Sequence, residues 1–233
     1  MPTLSYQSRR GELLDYFDRT ALRAWERLTS EAPVGRIRAT VRAGRDEMRA
    51  TLLSWLPADL SGARVLDAGC GTGALAVEAA RRGAEVVAVD IAPGLIALAR
   101  ERAGSRHGAG RVEFAVGDML DPSFGQFDHV VGMDSLIHYR PEDTAEVLAG
   151  LAARTRQSIL FTFAPRTRLL AAMHAVGRLF PRGDRAPAIV PVADTALRRL
   201  IAREPGLEGV AIGRDRRVAS GFYTSHAMEL LRR

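Results

Sequence analysis

Lysine is absent from this chain of 233 residues, so every one of its 33 basic side chains is an arginine. Cysteine occurs once, at Cys70, which excludes an internal disulfide and agrees with a cytoplasmic compartment. Aromatic residues make up only 6% and are scattered, with no aromatic-interleaved basic stripe and no basic tail. A nucleic-acid partner is therefore not expected, although a net charge of +6 and a pI of about 10.5 suit an anionic membrane face or an acidic small substrate. No apolar run approaches the ~20 residues needed to span a bilayer. The N-terminal stretch reaches Arg9 and Arg10 without an apolar signal region, so export is not expected either. What remains is a 47% hydrophobic chain, enough for one soluble domain with a sizeable core.

Within it, Val65-Leu66-Asp67-Ala68-Gly69-Cys70-Gly71-Thr72-Gly73 runs from an apolar strand through an acid into three alternating glycines. Glycine lets the chain turn tightly and lets a ligand approach the main chain, and the helix that follows presents unpaired N–H groups. Alone the pattern is ambiguous, because Gly69, Gly71 and Ala74 also satisfy the G-x-G-x-x-A pattern of NAD-binding folds. Acids at the following strand ends narrow it. Asp67, at the mouth of the strand, suits a ligand ammonium group and repels a pyrophosphate. Asp90 ends the run 86–89, where ribose hydroxyls of NAD or adenosyl ligands are gripped in such folds. Asp118, in Gly117-Asp118-Met119 after the run 112–116, suits the exocyclic amine of adenine. The alternative use of each acid is a helix cap or a turn.

In this order the motifs, spanning residues 60–140, resemble class I S-adenosylmethionine-dependent methyltransferases. The resemblance implies S-adenosylmethionine as methyl donor and S-adenosylhomocysteine as product. It implies a cofactor surface of Asp67, Gly69, Cys70, Gly71, Gly73, Asp90, Ile91, Gly117, Asp118, Met119 and Met133. Cys70 reads as a small filler of the loop rather than a nucleophile, since no histidine lies near it in sequence.

Along the chain, two helical stretches are expected at 9–28 and 35–56, broken at Pro33. In the second, Ile37, Val41, Met48, Leu52 and Leu56 form an apolar stripe, with Arg36, Arg38, Arg42, Arg45 and Arg49 on the other faces. From residue 64 strands alternate with helices, which indicates an α/β fold: a doubly wound, Rossmann-like, seven-stranded and mostly parallel sheet. The expected strands four and five are 127–133 and 158–163, with a helix at 142–155 between them. A last helix at 193–203 precedes two strands, 210–218 and 222–230, that pair as an antiparallel edge. The domain reading is a helical cover at 1–60 and a catalytic domain at 61–233, with an inserted lid at 166–191 after strand five. Ligands of open α/β sheets sit beyond the carboxyl ends of strands, where Asp67, Asp90, Asp118 and the segment 134–138 fall.

Methyl transfer from a sulfonium is an in-line displacement, so the protein must hold an electron-rich nucleophile close and aligned. His138 and Tyr139, past strand four, are placed for that, and Tyr16 for covering the site. Packing or capping is the alternative for His138, and a core position the alternative for Tyr16. Four segments, 15–20, 133–139, 161–165 and 179–182, together resemble the magnesium-protoporphyrin IX methyltransferase family of bacteriochlorophyll synthesis. The family resemblance implies methyl transfer to a propionate of magnesium protoporphyrin IX, with catalytic residues matching Tyr16 and His138. A carboxylate acceptor is already ionised near neutral pH, so orientation matters more than a strong base. In the lid, Arg166, Arg168, Arg182 and Arg185 interleave with apolar side chains including Met173 and Phe180. With Tyr139 these form the expected substrate surface, guanidinium groups meeting carboxylates and apolar groups meeting the ring. An amphipathic helix with solvated arginines is the plainer reading of the lid. No protein-bound metal is expected: the magnesium belongs to the substrate, and His174 is read as structural because Mg²⁺ prefers oxygen. The resemblance also implies hand-over from the large subunit of magnesium chelatase and a cytoplasmic location with peripheral contact at the photosynthetic membrane. Three readings compete with this one: a class I methyltransferase for another small aromatic acceptor, such as a quinone precursor, a non-catalytic tetrapyrrole carrier, and, from the charge, a nucleic-acid methyltransferase.

Overall fold

A computed structural model describes residues 3–19, 35–104, 108–166 and 188–232. Its strands are β1 Arg64–Ala68, β2 Glu85–Asp90, β3 Arg111–Val116, β4 Phe127–Gly132, β5 Thr155–Phe163, β6 Val210–Ser220 and β7 Tyr223–Arg232. The helices among the described residues are α1 Leu4–Arg19, α2 Arg36–Trp55, α3 Ala74–Arg81, α4 Pro93–Ala103, α5 Pro141–Ala152 and α6 Asp194–Arg203. The seven strands form one sheet in the order β3-β2-β1-β4-β5-β7-β6. β1 to β5 are parallel, and β7 inserts antiparallel between β5 and β6. The order reverses between β1 and β4, which opens a crevice at the carboxyl ends of those strands.

Period-two alternation divides the strand side chains between two cores. Leu66, Val87, Val130 and Phe161 pack in one with α5 and α6 residues such as Leu148 and Leu197. Val65, Val86, Ala88, Val131 and Leu160 pack in the other with Met48 and Leu52 of α2, Ala76 and Ala80 of α3 and Ile96 of α4. Residues of α2 therefore belong to a layer beneath the sheet, while α1 supplies Tyr6 and Leu13 to the opposite core. Only the end of the α2 stripe departs from its pattern: Met48 and Leu52 are fully buried, but Ile37 is 58% exposed.

Three boundaries differ from the sequence expectation. α1 begins at Leu4 rather than near residue 9, because the Thr3 hydroxyl accepts from the Tyr6 N–H and caps the helix. The described part of α1 ends at Arg19, and the expected continuation to residue 28 lies outside the described residues. The helix expected at 142–155 stops at Ala152, where Arg154 N bonds Leu151 O, and β5 starts at Thr155. The insertion after β5 leaves and returns at one place: Arg166 N donates to Val192 O, and Val192 N donates to Ala164 O. Its residues 167–187, including Arg168, Met173, His174, Phe180, Arg182 and Arg185, lie outside the described residues.

Candidate active site

A cavity of about 610 Å³ opens over the carboxyl ends of β1 to β4. Its floor is the glycine loop. Gly69, Gly71 and Gly73 all have positive φ, at +83°, +54° and +76°, a region that side chains other than glycine rarely adopt. A Cβ on Gly73 would stand 2.7 Å from the Phe114 ring, so the third glycine also permits close helix–sheet packing. Asp90 secures the loop: its carboxylate accepts from Gly71 N at 2.9 Å and from Ala92 N at 3.0 Å. Burial raises its pKa, and these amides oppose the shift. The Cys70 thiol lines the cavity, but burial and the carboxylates of Asp67 and Asp90 push its pKa well up, so the thiol stays protonated.

Asp67 is 2% exposed, and burial followed by the neighbouring Asp90 raises its pKa to about 7. Its Oδ2 has no hydrogen-bond partner; among the described residues Ser135 Oγ and His138 Nδ1 share that condition. All three residues line the same cavity. Unpartnered buried polar atoms are costly and rare, so three around one cavity mark where a polar ligand completes the structure. Two acids beneath a glycine loop fit a ligand carrying an ammonium and a sulfonium. Gly69, Cys70, Gly71, Ile91, Gly117, Met119 and Met133 also line the cavity.

Asp118 is placed differently. It lies outside the cavity lining, with Oδ1 accepting from Tyr6 OH at 2.7 Å and Oδ2 from Arg10 Nη1 at 2.6 Å. Tyr6 is buried and stacks on Tyr139 at 4.9 Å, so α1 straps the β3 end of the site. Burial, then Tyr139, raises the Tyr6 pKa, and its hydroxyl remains a donor. Arg9 completes the strap, donating through Nε to His138 O at 2.9 Å and through Nη2 to Ala188 O at 2.6 Å.

His138 closes the short 3-10 turn Leu136–His138 after β4. Burial lowers its pKa to about 4, opposed by the Ala188 backbone, so the ring is neutral at physiological pH. Phe17 meets it edge-on at 5.9 Å, and Tyr16 meets Phe17 edge-on at 5.3 Å. Phe17, His138 and Tyr139 line the cavity; Tyr16 stands one ring behind, and Arg166 is exposed outside it.

The sequence places Asp134 at the carboxyl end of strand four but assigns it no role. It is the one described non-glycine residue with positive φ, at 54°. Its carboxylate accepts from Arg45 Nη1 at 2.6 Å, Tyr223 OH at 3.1 Å, Ser225 Oγ at 3.2 Å and Thr162 Oγ1 at 3.2 Å. One acid thus pins α2, β5 and β7 to the rim of the cavity. Asn tolerates left-handed backbone, so Asp134→Asn removes the charge and keeps the turn. It should lower unfolding free energy by about 1–3 kcal/mol, read as a urea midpoint shift at unchanged m-value. An unchanged midpoint would show that the cluster carries no stability.

This fold and this cradle define a class I S-adenosylmethionine-dependent methyltransferase. A general family model described as "Methyltransferase domain" matches residues 65–158, and one described as "Magnesium-protoporphyrin IX methyltransferase C-terminus" matches residues 132–232. The magnesium-protoporphyrin O-methyltransferase of Rhodobacter capsulatus is 51% identical over 98% of this chain and 99% of its own. The chain belongs to the magnesium-protoporphyrin O-methyltransferase family. The crystal structure of magnesium protoporphyrin IX methyltransferase from Synechocystis PCC 6803 with bound SAH superposes with a TM-score of 0.83, at 27% identity over 96% of this chain and 100% of that one. A ubiquinone biosynthesis O-methyltransferase of Xanthomonas oryzae is 35% identical over 73% of this chain and 70% of its own.

Proposed function

We infer that the protein transfers a methyl group from S-adenosylmethionine to a propionate carboxylate of magnesium protoporphyrin IX, forming the monomethyl ester. The observation that carries the reading is the pairing of an acid-floored glycine cradle with a family-specific carboxyl-terminal half, 132–232. The bound donor supplies an electrophilic methyl carbon. The residues supply placement. Asp67 and Asp90 hold the cationic and ribosyl ends of the donor, and Gly69 to Gly71 let it lie against the main chain. His138 faces the acceptor. Its pKa of about 4 is close to that of a propionic acid, ~4.3 for a Glu side chain. A proton therefore passes from a protonated propionic acid to the unpartnered Nδ1 at little energetic cost, leaving the carboxylate as nucleophile beside the ring. Tyr16, through Phe17, keeps the His138 edge covered and water out.

Ester formation from purified protein, labelled methyl donor and magnesium protoporphyrin IX tests the reading; no labelled ester would overturn it. The Xanthomonas relative supports a second reading, methylation of a phenolic quinone precursor, and the same assay with that acceptor separates the two. Within the first reading, the acceptor is delivered by the large subunit of magnesium chelatase, and the protein makes a peripheral contact with the photosynthetic membrane. Co-purification and vesicle flotation test those two contacts. Among the described residues no helix is long and apolar enough to cross a membrane.

A further inference from the structure

We propose that one face of α2 is the carboxylate anchor of the acceptor, with Arg42 and Arg49 binding the propionate that is not methylated and Arg45 fixing the face between them. The proposal rests on the methyl-transfer reading and assigns the substrate end of the same cavity. Every arginine lining that cavity among the described residues comes from this one helix: Arg42, Arg45 and Arg49. Their spacing of three and four puts them on one side of the helix. The cavity is polarised. Its floor carries Asp67 and Asp90, complementary to a cationic donor, and its α2 wall carries three guanidinium groups against the carboxylates of Asp46 and Asp134. A dianionic acceptor entering over the donor therefore finds its complementary charge on α2.

The middle arginine is fixed by the Asp134 cluster, which holds Arg45 through a 2.6 Å ion pair. Arg49 gives Nη2 to Asp46 Oδ1 at 2.7 Å, engaging one nitrogen of a fork that carries five donors. An arginine fork matches a carboxylate in a bidentate geometry that lysine does not reproduce. The helix itself cannot drift, since Met48 and Leu52 on the adjoining face are fully buried in the core beside the sheet. A rigid row of guanidiniums at a set distance from the donor suits selection of the second propionate, and thereby of which propionate reaches the methyl group.

The test compares two acceptors: magnesium protoporphyrin IX, and the same magnesium porphyrin with an ethyl group replacing the propionate that stays unesterified. Wild type, Arg42→Gln, Arg49→Gln, the double variant and Arg49→Lys are assayed, with donor affinity measured by calorimetry as a check on folding. Arg111→Gln, at the far edge of the sheet, removes the same charge elsewhere. The double variant should raise KM for the dicarboxylate by about tenfold to a hundredfold, the range for a hydrogen-bonded charge. Donor affinity should be unchanged, and the ethyl analogue, already a poor ligand, should lose little more. Arg49→Lys should recover part of the loss, and Arg111→Gln should show none. Equal KM increases for both acceptors, or none for either, would overturn the anchor while wild-type turnover stands. Absence of wild-type turnover would overturn the methyl-transfer reading and the anchor with it.

Discussion

Asp67→Asn should lower affinity for S-adenosylmethionine by about a hundredfold while leaving the ligand-free protein more stable at mildly alkaline pH. Both effects come from one carboxyl. Its folded-state pKa of about 7 stands above the unfolded value of 3.8, chiefly through burial. Between those values the folded protein holds a proton that the unfolded chain has released. Stability therefore falls as pH rises through this window, and the cost is complete above about 7. Asparagine removes the ionisation cost and keeps an unpaired amide, for a net gain of about 1–2 kcal/mol in a thermal or urea melt. On the proposed reading, that cost is offset when the cationic donor binds the carboxylate.

Donor affinity carries the complementary signature. The cation binds the ionised form, so affinity should drop by about tenfold per pH unit below the Asp67 pKa of about 7 and level off above it. Calorimetry across that range reads the slope, and the Asn variant should flatten it. A wild-type affinity with no such slope would mean that Asp67 does not face the positive end of the donor.

The strand and loop order was readable because β1 to β4 are short, largely apolar runs that stop at or beside an acid or a glycine. Asp67, Asp90 and Gly117 stand at the ends of β1, β2 and β3, as those runs imply. Such signals are local. The α1 strap is not local: Tyr6 and Arg10 reach Asp118 across more than a hundred residues, so an acid that reads as a ligand for adenine is already engaged by a helix. The arginines of α2 were visible as charge, but a row of charge on an amphipathic helix reads as a solvated face. Only the packing of α2 beside the sheet turns part of it toward the crevice. Asp134 gives the least warning, because its partners Arg45, Thr162, Ser225 and Tyr223 are gathered from α2, β5 and β7, and its positive φ leaves no mark in an Asp codon.

His138→Ala should reduce kcat by about a hundredfold or more, the scale of a lost positioned proton donor or acceptor, with donor affinity unchanged. The ring lines the cavity with Nδ1 buried and unpartnered, while Asp67 and Asp90, the acids proposed for the donor, lie on β1 and β2. Its depressed pKa fixes the pH behaviour. The unfolded chain takes up a proton near the ordinary value of 6.5, whereas the folded ring resists until about 4. Stability is therefore full above about 6.5 and lost as pH falls toward about 4, and the alanine variant should lose that dependence. At saturating donor, wild-type turnover should show no limb near 6.5, which a solvated catalytic histidine would produce. His138→Gln then separates the two tasks of the ring. Glutamine can donate a hydrogen bond to an ionised propionate but cannot take up its proton. Since a propionate is largely ionised at neutral pH, the Gln variant should regain much of the turnover lost in the Ala variant and lose it as pH falls. Turnover as low in Gln as in Ala across that range would make proton transfer, rather than orientation, the work of His138.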